Sequence, residues 1–125
     1  MSDRVVIPET QYRERIDRAS QLLAETGLDV LVANSNEADY ANVRYFTAYW
    51  PLFEMGGGAI APSGQAALLI GPESEEYARG RSKLDNIHLM TEYRETADPA
   101  YPGVAVSKYG DVFESIGVRD PKRIG

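Results

Sequence analysis

"GGGAIAPSGQAALLIG", residues 56–71, decides the architecture. Two short apolar runs, Gly58-Ala59-Ile60-Ala61 and Gln65-Ala66-Ala67-Leu68-Leu69-Ile70-Gly71, flank Pro62-Ser63-Gly64. Apolar runs joined by so short a turn signal read as strand, turn, strand. Strands connected that tightly run antiparallel, so the sheet cannot be wholly parallel. Gly56-Gly57-Gly58 is not followed by Lys-Ser/Thr and leads into a strand, where a phosphate-binding loop would lead into a helix. Backbone freedom, or the close approach of a neighbouring element, accounts for the glycines better.

Upstream, Tyr12, Ile16, Ala19, Leu22 and Leu23 form an apolar stripe over residues 9–26, punctuated by Pro8 before and Gly27 after, which predicts an amphipathic helix. The β-branched run at 28–33, closed by Asn34-Ser35-Asn36, predicts a buried strand, and helix followed at once by strand indicates α/β layering. Ser35 or Asn36 can cap a short helix through Val43 and Phe46, with Pro51 as its stop. Downstream, Pro72-Glu73-Ser74-Glu75-Glu76 opens a helix to about Lys83, with its acids at the positive end of the dipole. A strand at 86–90, a loop at 98–103 and a helix at 107–116 follow. Residues 121–125 look like the beginning of one more strand, as if the chain were cut inside its own fold.

A chain of 125 residues is one domain's worth of core. Its 13 basic and 19 acidic residues are mixed, giving a net charge of −6 and no basic stripe, so nucleic acid is an unsuited partner. The sequence has no cysteine, which removes disulfides, zinc–cysteine sites and thiol chemistry and fits a reducing compartment. Val5-Val6-Ile7 is too short for a signal peptide, and no run approaches the ~20 apolar residues of a membrane span. A cytoplasmic protein with no membrane partner is expected.

His88 is the only histidine, so a site built from several imidazoles is excluded. Strand alternation places it opposite Ile87 and Leu89, in a surface or hydrogen-bonded structural role. No Gly-x-Ser-x-Gly elbow occurs around any serine. Glu73, Glu75 and Glu76 are explained by the helix dipole without a metal. The feature that stands out is "DYANVRYFTAYWPLFEMGGG", residues 39–58, which holds six of the twelve aromatics. One short helix cannot turn Tyr40, Tyr45, Phe46, Tyr49, Trp50 and Phe53 all inward. Those left over are suited to a ligand wall or a subunit interface, because aromatic rings supply contact area at small entropic cost.

Tyr12-Arg13-Glu14-Arg15-Ile16, Leu22-Leu23 and Gly27-Leu28-Asp29-Val30-Leu31-Val32 resemble the opening helix and strand of the creatinase/prolidase N-terminal domain of Xaa-Pro aminopeptidases, Xaa-Pro dipeptidases (prolidases) and creatinase. Asn42-Val43-Arg44-Tyr45-Phe46-Thr47-Ala48-Tyr49 is similar to that family's Asn-x-x-Tyr-Leu-Thr-Gly-Phe segment, with Ala48 standing where glycine is common. Gly71-Pro72-Glu73 and the Glu-Tyr-Arg-Glu-Thr-Ala-Asp-Pro run at 92–99 are also similar. The resemblance covers nearly the whole chain and no catalytic signature.

It implies an α/β fold, a mixed, ribonuclease-H-like sheet of about six strands flanked by helices, with residues 1–125 one N-terminal domain cut just inside its last strands. The chain is then a non-catalytic part of a Xaa-Pro peptidase-like metallohydrolase, shaping the substrate site and dimerising. Its partners would be its own C-terminal pita-bread catalytic domain, a second subunit and a proline-containing peptide. Two divalent ions, such as manganese, would sit in the catalytic domain on two Asp, one His and two Glu, and none in this chain. A stand-alone binding or oligomerisation module, or the N-terminal domain of a creatinase-like amidinohydrolase, is the alternative. The resemblance places the segment after the Asn-x-x-Tyr motif against the substrate, in the pocket of the other subunit. Trp50, Phe53 and Glu54, with Arg44 on the preceding helix, are therefore the candidate wall or interface residues, and no residue is assigned a catalytic role.

Overall fold

The computed structural model describes residues 5–51, 55–94 and 101–125. Phe53, Glu54, the 95–99 portion of the family-like run and part of the loop expected at 98–103 lie outside the described residues. The first helix, α1 (Glu9–Thr26), has the expected bounds. It ends because Gly27 adopts a left-handed conformation, φ 72°, which lets the Gly27 and Leu28 amides donate to Ala24 and Leu23 carbonyls near the helix end. Its buried positions, Tyr12, Ile16, Ser20 and Leu23, follow the helical period and face the sheet side.

The strands are β1 (Leu31–Ser35), β2 (Gly56–Ile60), β3 (Ala66–Ile70) and β4 (Ile87–Leu89), in the order β1-β2-β3-β4. The β2–β3 hairpin is antiparallel as expected, turning at Gly64 with φ 93°, and β1 is antiparallel to β2. The β3–β4 pair is parallel, which α3 (Glu75–Arg81) makes possible by crossing between them. The sheet is thus mixed, with four strands among the described residues and not about six. The expected strand at 121–125 reaches only a parallel bridge from Ile124 to Val30 on the outer edge of β1, secured by Gly125 N–H to the Val30 carbonyl and Val32 N–H to the Gly125 carbonyl.

Side-chain alternation divides the core into two faces. Ala59, Ala67 and Leu69 face one way, packing with Met90, Tyr93 and the Val112, Phe113 and Ile116 of α4 (Tyr109–Ser115) and its end. Ile60, Leu68 and Ile70 face the other way, against α1, α3 and α2 (Ala41–Thr47). Helices thus cover both faces, while the central strands β2 and β3 are buried almost throughout. β1 differs from its expected buried character: it begins three residues later, and Leu31, Val32 and Ala33 are only half-buried. The short Ile124 bridge covers its outer edge incompletely.

The three glycines owe their place to packing. Successive residues of a strand point to opposite faces, and a Cβ on Gly56 would lie 3.3 Å from the Tyr49 ring, while one on Gly57 would lie 2.7 Å from the Tyr93 hydroxyl on the other face. Two buried tyrosines press on the sheet at adjacent residues from opposite sides. Of the two expected reasons for the run, backbone freedom and close approach of a neighbouring element, the structure shows the second, and the amides of 56–58 belong to the β ladder.

Candidate functional site

The segment carrying the aromatics is fixed at both ends by side chains. The Ser35 hydroxyl, at the end of β1, accepts the Val43 amide at 3.0 Å and so caps the first turn of α2. At the other end the Thr47 hydroxyl donates to the Val43 carbonyl at 2.7 Å and accepts the Tyr49 amide at 3.1 Å. Ala48 then turns the chain with φ 66°, in the left-handed region where glycine is least strained. The helix therefore ends at Ala48, before Pro51 can act.

This turn sorts the aromatics. Tyr49 is fully buried against β3 and α3, and Phe46 is half-buried beneath α1. Tyr40 and Tyr45 are 40% and 44% exposed, and Trp50 is half-buried. The expected division into core and surface rings holds for the described members. Arg44 and Trp50, both candidates from the sequence, are brought together: the guanidinium carbon lies 4.4 Å from the indole centroid and 5.8 Å from that of Tyr40.

Two further participants come from α3. The Arg81 guanidinium carbon is 5.8 Å from the Trp50 centroid and 5.0 Å from that of Tyr77. Tyr40, Arg44, Trp50, Arg81 and Tyr77 thus alternate rings with cations, each cation lying within the ~6 Å over which a ring quadrupole attracts it. Sequence reasoning placed neither Tyr77 nor Arg81 here. Their i, i+4 spacing puts them on one face of α3, which was the available signal. Depressions of about 430 Å³, by Asp29, Pro62 and Lys122, and 400 Å³, by Arg79, His88 and Val104, lie elsewhere. The cation–aromatic array lies at the surface, and its residues line neither of these depressions.

The other sequence candidates resolve into structural roles. His88 faces α4, opposite Ile87 and Leu89 as expected, with Nδ1 2.8 Å from the Ser107 hydroxyl and Nε2 3.0 Å from both Asn86 Oδ1 and the Ser115 hydroxyl. Because Ser115 donates to the Val112 carbonyl, it serves Nε2–H as an acceptor, and the neutral Nε2–H tautomer satisfies every contact. Burial holds the His88 pKa below its ordinary 6.5, against the opposing pull of Asp111. A base depressed on folding takes up more protons when unfolded, so its contribution is present above pH 6.5 and lost as pH falls below it. Urea midpoints measured at about pH 7.5 and about pH 5 should therefore fall further for the native chain than for His88→Gln. Equal falls would contradict the assignment.

Glu75, in the first turn of α3, pairs with exposed Arg79, and Glu73 accepts the Tyr101 hydroxyl at 2.6 Å. No group of three or more His, Cys, Asp or Glu among the described residues converges as a metal site. The described residues thus do not fit the divalent ions of the implied catalytic domain. No helix among the described residues is long and apolar enough to cross a membrane. On the far face, the buried Tyr93 hydroxyl donates to Asn34 at 2.6 Å and accepts from Tyr109 at 2.7 Å. Burial and then the Tyr109 hydrogen bond raise its pKa far above that of a free tyrosine, so it is a fixed neutral group.

No curated protein matches the sequence. Among solved structures, dipeptidase PepE from Mycobacterium ulcerans is similar at 14% identity and a TM-score of 0.57, over 90% of this chain and 28% of that one. The prolidase from Pyrococcus furiosus is similar at 18% and 0.54, over 89% of this chain and 34% of that one. Aminopeptidase P, a Xaa-Pro aminopeptidase, from Streptococcus thermophilus is similar at 20% and 0.52, over 94% and 72%. The chain therefore spans about a third or less of the dipeptidase and the prolidase, and identities this low establish the fold alone. The family described as the Creatinase/Prolidase N-terminal domain matches residues 15–125, nearly the whole sequence. This chain belongs to the creatinase/prolidase N-terminal domain family.

Proposed function

We propose that the chain is the non-catalytic N-terminal domain of a Xaa-Pro aminopeptidase- or dipeptidase-like metallohydrolase, where it shapes one wall of the substrate site and contributes to a homodimer. The observation that carries the reading is the exposed array around Trp50, at the end of the Asn42–Tyr49 segment. A core has no use for two guanidinium groups whose carbons lie 4.4 and 5.8 Å from the centroid of a partly exposed indole. A wall that meets a peptide does. Trp50 and Arg44 belong to this wall by position, and Phe53 and Glu54 follow immediately in sequence.

In this arrangement the divalent ions and the hydrolytic step belong to the C-terminal catalytic domain. The present chain supplies binding surface, and its lack of cysteine suits a cytoplasmic setting. The purified 125-residue chain, incubated with manganese and an Ala-Pro dipeptide, should release no free proline above the protein-free blank. Metal-dependent release that co-elutes with the chain would overturn the non-catalytic assignment.

A further inference from the structure

We infer that Arg44 and Arg81, held on Trp50, form a carboxylate-binding site, and that the group it takes is the free C-terminal carboxylate of a short peptide. The identity of the peptide rests on the function proposed above. The carboxylate chemistry rests on the site itself. A guanidinium held over a ring by its charge keeps N–H donors that the ring does not use, and their planar fork matches a carboxylate with two parallel hydrogen bonds.

Neither of these arginines has an acidic partner among the described residues. The ion pairs found there are Arg13–Asp17, Arg79–Glu75 and Lys122–Asp120. Arg79 and Arg81 make the contrast within one helix: the first turns back to Glu75, and the second reaches across to Trp50. Two like charges on one indole, both exposed, repel each other unless an anion lies near them. They do so in a chain of net charge −6, so this is a local concentration of positive charge against the overall field.

Phosphate suits the place less well. Phosphate cradles draw on free backbone N–H groups, and the nearby glycine amides at 56–58 are already committed to the β1–β2–β3 ladder. The surrounding rings of Tyr40, Trp50 and Tyr77 offer apolar area beside the charges, which suits the end of a peptide, an anion attached to an apolar body. In a peptidase wall such a site selects substrates whose chain ends close to the cleaved bond and disfavours longer ones.

Trp50 is the only tryptophan, so its fluorescence reports on this site and on no other. The native chain is titrated at constant ionic strength with Gly-Pro, Gly-Pro-amide, N-acetyl-Ala-Glu-Ala-amide and inorganic phosphate. Gly-Pro should change the emission saturably, with the amide roughly tenfold weaker or worse, and Arg44→Gln and Arg81→Gln should each weaken Gly-Pro by a similar factor. Both arginines are exposed, so circular dichroism should show the variants folded. Superimposable curves for Gly-Pro and its amide, or an Arg81→Gln curve equal to the native one, would overturn the site. The acetylated peptide binding as tightly as Gly-Pro would assign the site to acidic side chains of a protein partner, and phosphate binding more tightly would assign it to another anion. Either overturns the inference as stated. The readout is binding to this chain, so a parent protein that fails to cleave Xaa-Pro peptides removes the peptidase reading and leaves this measurement standing.

Discussion

Gly71→Ala should destabilise the fold by about 2–3 kcal/mol, the upper part of the overpacking range. Backbone conformation is not the reason, since φ −70° and ψ 151° at Gly71 suit any residue. The reason is room. A Cβ there would collide with the Tyr93 carbonyl oxygen and come within 2.9 Å of the Arg94 Cα, and backbone atoms cannot swing aside as the end of a flexible side chain can. Tyr93 itself is held by Gly57 beneath its ring and by Asn34 and Tyr109 at its hydroxyl, so the collision is passed into the core. Gly80→Ala supplies the opposite sign. That position lies within α3 with nothing within 4 Å of the new Cβ, and the alanine should stabilise by about 0.5–1 kcal/mol through helix propensity. Urea titrations of the two variants check both values. Equal midpoints would mean that the approach of Tyr93 to the sheet is wrongly described.

The contrast between these glycines also marks what could be read from sequence. Gly27 announced a helix end and Gly64 a hairpin turn, because local backbone geometry decides both. Gly57 and Gly71 are required by Tyr93, distant in sequence, and only the three-glycine run hinted at such an approach. Local pattern likewise fixed α1, the hairpin and the side of β4 on which His88 stands. It placed β1 too early, since the run 28–33 is apolar whether or not a neighbouring strand covers its outer edge. The count of about six strands came from resemblance, while the described chain forms four and a bridge.

Half of the candidate site was legible in the same way. Arg44 and Trp50 stand six residues apart on one helix-and-turn unit; the excess of rings over inward positions marked the stretch, and the resemblance to the Asn-x-x-Tyr segment singled out these two. Tyr77 and Arg81 belong to a helix whose opening is marked by its acids, and the meeting of Arg81 with Trp50 depends on how α3 packs beside α2 across the sheet face. No local period encodes that.

The central claim is that the segment after α2 serves a substrate site and not the stability of its own domain. Loops display functional groups while the scaffold beneath them carries the folding free energy. Glu54 is the one acid between Asp39 and Glu73, here proposed to meet a substrate amino group or a partner's arginine, and Phe53 precedes it in the sequence. The measurement is made on the protein that joins this domain to its catalytic domain, comparing native, Phe53→Ala and Glu54→Gln forms for both kcat/KM on a Xaa-Pro peptide and the urea midpoint. The account predicts a fall in kcat/KM of roughly tenfold or more, equivalent to about 1.4 kcal/mol of transition-state binding, with stability changed by about 0.5 kcal/mol or less. Unchanged kcat/KM in both variants, or a loss of activity that only follows a falling midpoint, would contradict it.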